Sequence, residues 1–315
     1  MANNPKLLRG VVPPVCTPFT ADYEVDEKSL RRLINHLIDG GVHGLFVLGS
    51  TSEVAYLTDK RRADVIRIAI DETRGRVPVV AGAIDMTTFR VNDHVSAAVA
   101  AGIDGIVLTA PFYVRTHSEE IALHFRMVKE ACGDVPLYAY DIPTAANGVK
   151  LETGTVLKLA QEGVIQGLKD SSGNDAGIRA VILGAQKLRL QDFVVLTGSE
   201  LTVDSALMAG AHGVVPGIGN IDPAGYVNIF NYVSAGDFKS ARLEQERLIQ
   251  MFGLVDVGST ARMGRGSSAL GAFKASLKII GIIEDGRTAP PQIPLNSDEI
   301  AAIIPYLKNA GLISN

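Results

Sequence analysis

The sequence predicts an α/β protein, a closed (β/α)8 TIM barrel followed by a C-terminal helical domain, on three observations. Short runs rich in Val, Ile and Leu alternate with longer stretches of helical periodicity, which is the grammar of βαβ units and a parallel sheet. Eight such runs occur before the alternation stops. The phrases Asp39-Gly-Gly-Val-His-Gly-Leu45, Ala101-Gly-Ile-Asp-Gly-Ile106 and Ala209-Gly-Ala-His-Gly-Val214 each end a helix and open a strand in the same way, as a barrel requires whenever a helix returns to the foot of the next strand. An open doubly wound sheet uses the same units, but eight consecutive repeats fit closure better.

Strands are expected at Val11–Cys16, Gly44–Leu48, Val77–Gly82, Gly105–Leu108, Val135–Tyr140, Val164–Lys169, Phe193–Thr197 and Gly213–Val215. Between them Glu27–Asp39, Thr58–Thr73, Thr88–Ala101, Ser118–Cys132, Thr153–Gln161, Asp175–Gln186 and Leu201–Ala209 are long enough for helices. Ser118-Glu119-Glu120 puts a capping residue and two carboxylates where the helix dipole favours them, and Gly133 is a stop after Cys132. Beyond the last strand, Pro223–Ala235, Asp237–Phe252, Ala269–Ile280 and Asp298–Asn309 read as helices. The chain therefore divides into a barrel, residues 1–235, and a helical domain, residues 236–315. The proline-rich stretch Thr288–Pro294 can neither continue a helix nor sit inside a sheet and is expected to cross the surface.

Composition narrows the function. The 315 residues carry 30 Lys+Arg against 34 Asp+Glu, a formal charge of −4, so no basic surplus exists to hold a nucleic acid backbone. With 47% hydrophobic and 20% charged residues the chain can bury a large core. No window reaches the ~18 apolar residues of a membrane span, and the first residues hold no apolar leader core, so a cytoplasmic protein without membrane contact is expected. Cys16 and Cys132 are too few for a disulfide framework and read as buried thiols. The six histidines form no His-x-x-x-His or His-x-His pair, so no metal is expected. Gly264-Arg-Gly-Ser-Ser-Ala-Leu-Gly271 imitates a phosphate loop but follows no strand, and reads as a plain loop. The elbow of a nucleophilic serine is missing as well.

Catalytic groups of a barrel lie where strands end. The sixth run ends in Lys169, and partial desolvation at a barrel mouth lowers a lysine's pKa and frees the neutral amine to attack a carbonyl. The plainer alternative leaves its ammonium in solvent or paired with Asp170. The fifth run ends in Tyr140, on the neighbouring strand, where a phenol could pass protons or simply fill the core. The second run leads into Gly49-Ser50-Thr51-Ser52-Glu53, small residues and hydroxyls whose backbone N–H groups suit a carboxylate, or an ordinary capping turn.

Taken in order, Val12-Pro-Pro-Val-Cys-Thr-Pro-Phe19, Gly49-Ser-Thr-Ser-Glu53, Pro111-Phe-Tyr113, Tyr140-Asp-Ile-Pro143, Gly167-Leu-Lys-Asp-Ser171, Lys274-Ala-Ser-Leu-Lys-Ile-Ile-Gly281 and the late Pro-Pro-Gln-Ile-Pro-Leu295 make the chain resemble the dihydrodipicolinate synthase and N-acetylneuraminate lyase family. That family consists of class I aldolases on a (β/α)8 barrel with a C-terminal helical domain. The resemblance implies that Lys169 forms an imine with pyruvate or a 2-keto acid without any cofactor, that Tyr140 shuttles protons, and that Ser50 and Thr51 hold the carboxylate, with Ser171 among the substrate contacts. It implies that Tyr113 reaches into a neighbouring subunit's site and completes a hydroxyl relay with Ser50 and Tyr140. A homo-oligomer, a dimer of dimers, is expected.

Two departures from the family pattern matter, the first for substrate and the second for the hydrogen bonding of the loop after the second run. Members that make dihydrodipicolinate carry an arginine two residues after the Tyr-x-x-Pro proline, gripping the distal carboxylate of aspartate semialdehyde, whereas this chain has Ala145. The glycine usual after the paired hydroxyls is Ser52. Gly198-Ser-Glu200 stands where sugar-acid-cleaving relatives bind hydroxyls, and Glu200 would accept from a polyol and repel a second carboxylate. These features favour a 2-keto-3-deoxy sugar acid aldolase or dehydratase over dihydrodipicolinate synthase. A barrel that only binds a metabolite is the alternative of another class.

Overall fold

The computed structural model describes residues 7–314. Its strands are β1 (Gly10–Val11), β2 (Leu45–Val47), β3 (Val79–Gly82), β4 (Gly105–Thr109), β5 (Leu137–Asp141), β6 (Gly167–Asp170), β7 (Val194–Thr197) and β8 (Gly213–Val214). The helices of the repeats are α1 (Glu27–Asp39), α2 (Asp59–Thr73), α3 (Thr88–Ala100), α4 (Ser118–Cys132), α5 (Thr153–Gln161), α6 (Asp175–Lys187), α7 (Val203–Met208) and α8 (Pro223–Ser234). Beyond them come α9 (Phe238–Phe252), α10 (Arg265–Ile279), α11 (Ser297–Ala301) and α12 (Ile304–Asn309).

All eight strands pair in parallel in the order β1-β8-β7-β6-β5-β4-β3-β2. The two ends of this order meet: Phe46 of β2 donates to Pro13 O at 3.0 Å and accepts from Val15 N at 2.8 Å. The sheet curls into the arrangement of a (β/α)8 barrel. β1 is shorter than the expected Val11–Cys16 because Pro13 and Pro14 lack the N–H a ladder needs. Strand alternation then sorts the apolar side chains into two cores. Val12, Phe46, Val80, Val107, Tyr138, Tyr140, Val194, Leu196 and Val215 fill the interior, while a larger layer lies between strands and helices. Tyr138 fits inside because Gly167 and Gly105 flank it; a Cβ on Gly167 would lie 2.8 Å from its ring. Burial raises the Tyr138 phenol to about 12, and its oxygen accepts from Leu8 N.

Helix α1 shows how the outer layer forms. Asp26 caps it by accepting from Ser29 N at 3.1 Å, and Leu30, Leu33, Ile34 and Leu37 bury one face at helical spacing. Some expected boundaries differ. His117, not Ser118, caps α4, in a reciprocal box with Glu120, because the hydroxyl lies one residue too late; Gly133 ends the helix as expected. The stretch read as a loop at Gly264–Gly271 is instead the first turns of α10, where Ser268 Oγ donates to Val255 O at 2.7 Å and tertiary packing overrides the weak helix propensity of glycine. The expected helix Asp298–Asn309 breaks into α11 and α12, the second with Pro305 in its first turn. Thr288–Pro294 is only partly at the surface, since Thr288, Ala289 and Gln292 are buried. Cys16 and Cys132 are buried thiols, pushed by desolvation to about 12 and about 11. Among the described residues no helix is long and apolar enough to cross a membrane.

Candidate active site

Lys169 and Tyr140 are Cα partners across β6 and β5 and point to the barrel interior. Lys169 is 6% exposed, and its Nζ lies 3.5 Å from the centroid of the Tyr140 ring and 5.3 Å from that of Phe46. The amine thus sits against two aromatic faces near the upper end of the barrel, a cation–π arrangement, and among the described residues no carboxylate forms an ion pair with it. The alternative pairing with Asp170 does not occur: Asp170 is the next residue, so its side chain leaves the other side of the sheet and faces Lys150.

Burial acts to raise the Tyr140 phenol, but the Lys169 charge and polar contacts from Lys169, Ser50 and Ser171 outweigh it, and the net shift is downward. The phenol is therefore readier to release a proton than an ordinary tyrosine. Ser50 and Thr51 lie in the turn after β2, and among the described residues their amide N–H groups donate to no acceptor. Ser52, in place of the family's glycine, is buried, and its Oγ donates to Val15 O at 2.5 Å, tying the turn to the end of β1. Ser171 follows β6, and Gly198 gives it room: a Cβ on Gly198 would fall 1.9 Å from Ser171 Oγ.

Two further sequence-derived candidates stand apart from this group. Glu200 is turned toward the β8–α8 connection, where its Oε1 accepts from Ile218 N at 2.6 Å beside the Gly217 amide, so this oxygen is already occupied. Burial pushes its carboxyl up to about 7. Tyr113 lies in the loop after β4, 84% exposed, with φ 71, a conformation rare for an aromatic residue. Within one chain it stands in the open rather than in the pocket.

A cavity of about 290 Å³ opens beside Ser50, lined also by Thr109, Phe112, Ile142, Ala145 and Leu270. Thr109 is the Cα partner of Tyr140 on β4. Among the described residues no cluster of three or more His, Cys, Asp or Glu side chains is placed to hold a metal ion.

Comparison with known proteins matches the chain to the dihydrodipicolinate synthetase family over residues 7–310. The chain belongs to this family. A curated 4-hydroxy-tetrahydrodipicolinate synthase of Methanothermobacter thermautotrophicus is 36% identical over 234 residues, 74% of this chain and 82% of that one. An uncharacterized DapA-like lyase of Halobacterium salinarum is 31% identical over 312 residues, 99% of this chain and 97% of that one. Among solved structures, the dihydrodipicolinate synthase of Bacteroides thetaiotaomicron superposes with a TM-score of 0.89 at 31% identity, covering 96% of this chain and 98% of that one. The E. coli prophage protein YagE, of the dihydrodipicolinic acid synthase family and solved with pyruvate, superposes with a TM-score of 0.88 at 29% identity, covering 98% of this chain and 100% of that one. The dihydrodipicolinate synthetase family is thus a family of lyases and aldolases, and this chain is one of its members.

The sequence passed over three polar residues near the site. Thr109 and Lys150 carry no motif of their own, and Lys274 stood only inside a family phrase. The signal for Lys150 was the pair of aspartates, Asp141 and Asp170, each directly after a proposed catalytic residue.

Proposed function

We propose that the protein is a class I aldolase or lyase in which Lys169 Nζ forms an imine with pyruvate or another 2-keto acid. The observation that carries this reading is the amine of Lys169 held 3.5 Å from the Tyr140 ring on the adjacent strand. The neutral amine attacks the keto carbon, the carbinolamine loses its hydroxyl as water, and the C=N bond forms. The protonated imine then accepts the electron pair released when a proton leaves C3 or when the C3–C4 bond breaks, giving an enamine. Tyr140, with its phenol shifted toward easier ionisation, takes and returns the protons of these steps. The N–H groups and hydroxyls of Ser50 and Thr51 receive the carboxylate, and Ser171 adds a hydroxyl next to the phenol. Tyr113 completes the relay from a neighbouring subunit, as its exposure supports.

For the rest of the substrate we favour a 2-keto-3-deoxy sugar acid or a similar hydroxylated keto acid. Ala145 supports this: at the position where dihydrodipicolinate-forming members carry an arginine, it lines the cavity beside Ser50 with no charge to grip a second carboxylate. The occupied oxygen of Glu200 removes some of the support that its position lent to polyol binding. Dihydrodipicolinate synthesis is the second reading, favoured by the names of the relatives.

Borohydride reduction in the presence of pyruvate, followed by peptide mass mapping, tests the chemistry: a stable adduct on Lys169 is expected, and its absence would sink the imine. Turnover of aspartate semialdehyde set against a panel of keto-deoxy sugar acids separates the two substrates, and robust turnover of the semialdehyde overturns the first.

A further inference from the structure

We propose that Lys150 is a positioning residue of this site: its ammonium bridges two buried carboxylates, Asp141 and Asp170, and so fixes the strand ends that carry Tyr140 and Lys169. The inference rests on the reading of Lys169 and Tyr140 as the catalytic pair.

Asp141 and Asp170 are Cα partners on β5 and β6, one residue beyond Tyr140 and Lys169. Alternation points them out of the barrel, and each is 1% exposed. Two carboxylates on adjacent strands in a sealed layer repel each other and cannot both stay ionised without a cation. Lys150, between the β5 loop and α5, supplies it, paired with Asp141 Oδ2 and 3.4 Å from Asp170 Oδ2.

The remaining oxygens hold the surrounding loops. Asp141 Oδ1 accepts from Leu151 N at 3.1 Å, closing the segment 142–150 that contains Ala145. Asp170 Oδ1 accepts from Ser172 N at 2.8 Å and Ser172 Oγ at 2.6 Å, shaping the turn in which Ser171 stands. The main chain continues the tie: Ser171 N donates to Asp141 O at 2.8 Å, and Gly198 N to Asp170 O at 2.7 Å. One ammonium thus stands behind the tyrosine, the lysine, the Ser171 hydroxyl and the loop bearing Ala145.

Burial raises the Asp141 carboxyl even with Lys150 present; the charged groups acting on it are Lys150 and Asp170, and those acting on Lys150 are the same two aspartates. Without the cation one carboxyl must keep a proton in the folded state, its affinity raised above the unfolded value. Stability from that proton is present at low pH and disappears as pH rises.

The test compares wild type with Lys150→Met, Lys150→Arg and the double variant Lys150→Met with Asp141→Asn. Lys150→Met is expected to lower kcat on the order of 10- to 100-fold through misplacement of the reacting groups. KM for pyruvate should rise less than kcat falls, because Ser50 and Thr51, in the turn after β2, are not held by this bridge. Its activity and melting temperature should fall as pH rises relative to wild type. Lys150→Arg should restore most of the rate, and the double variant, with one carboxylate neutralised, should recover part of it and lose the pH dependence. A Lys150→Met protein with wild-type kcat and pH profile would overturn the proposal. So would an Arg variant as impaired as Met together with no recovery in the double variant. Melting temperature against pH needs no substrate, so it reads the charge bridge even if wild type traps no keto acid, an outcome that refutes the imine alone.

Discussion

Lys274 of α10 and Glu53 of the turn after β2 form an ion pair sealed from solvent, their side chains 1% and 0% exposed. Glu53 has φ 61 and stands three residues after Ser50; its Oε2 also accepts from Ala289 N at 2.6 Å and from Gln292 Nε2 at 2.7 Å. Lys274 Nζ donates to Arg287 O at 2.9 Å and lies 4.0 Å from the Phe19 ring centroid. The late helical segment therefore reaches the turn after β2 that carries Ser50 and Thr51 through a charge it cannot release to water.

Removing one partner leaves the other buried and uncompensated. Lys274→Met is expected to cost about 3–5 kcal/mol of stability, with Lys274→Met plus Glu53→Gln losing less than the single change. Chemical denaturation measures both. A single variant as stable as wild type would show that water reaches Glu53.

Tyr140→Phe should still trap some imine at Lys169 while turning over roughly 10²–10⁴-fold more slowly, the usual contribution of a general acid–base group. The phenol's downward shift has a spectroscopic counterpart. Tyrosinate absorbance should include one group ionising below the ordinary value of ~10, missing from Tyr140→Phe. Undiminished turnover in the variant would remove Tyr140 from the mechanism.

Ala145→Arg places a guanidinium in the wall of the cavity beside Ser50. A charge-assisted bond to a distal carboxylate contributes roughly 1.5–3 kcal/mol, so kcat/KM for aspartate semialdehyde should rise on the order of 10- to 100-fold relative to a keto-deoxy sugar acid whose far end carries only hydroxyls. Steady-state kinetics on both substrates decides. No change in the ratio would mean that position 145 does not face the substrate's far end.

Glu200, raised to about 7 by burial, takes up a proton more readily folded than unfolded. Its contribution to stability is complete below the unfolded value of ~4.5 and is lost as pH rises through about 7. Melting temperature measured across that window should decline in wild type and be flatter in Glu200→Gln, whose carbonyl can still accept from Ile218 N. Parallel curves would show that the carboxylate is solvated.

Much of this architecture was legible because the barrel repeats itself. Helices α1, α4 and α5 have the expected bounds, since apolar spacing and a stop residue agree there. The places where reading failed are those where distant contacts decide. Gly264–Gly271 has the composition of a loop, and tertiary contacts hold it in α10, Ser268 Oγ donating to Val255 O and accepting from Gly258 N. Thr288–Pro294 has the composition of a surface crossing, yet Ala289 and Gln292 turn inward to a carboxylate 236 and 239 positions earlier. The site followed the same division. Lys169 and Tyr140 could be placed side by side from strand order, but the orientation of Glu200 depends on the amides of another connection, and Lys150 owes its place to two aspartates that only strand pairing brings together.

Phe46 has two roles that the fold does not separate. Its backbone bonds β2 to Pro13 and Val15, and its ring lies 5.3 Å from Lys169 Nζ. Any breathing of that joint is thereby transmitted to the surroundings of Lys169, so the labelling rate of one ε-amino group by an acylating reagent becomes a gauge of whether the cylinder is shut. In mild denaturant, before global unfolding, that rate should climb together with amide exchange at Val15, linking the chemistry of one nitrogen to the mechanical integrity of the whole ring.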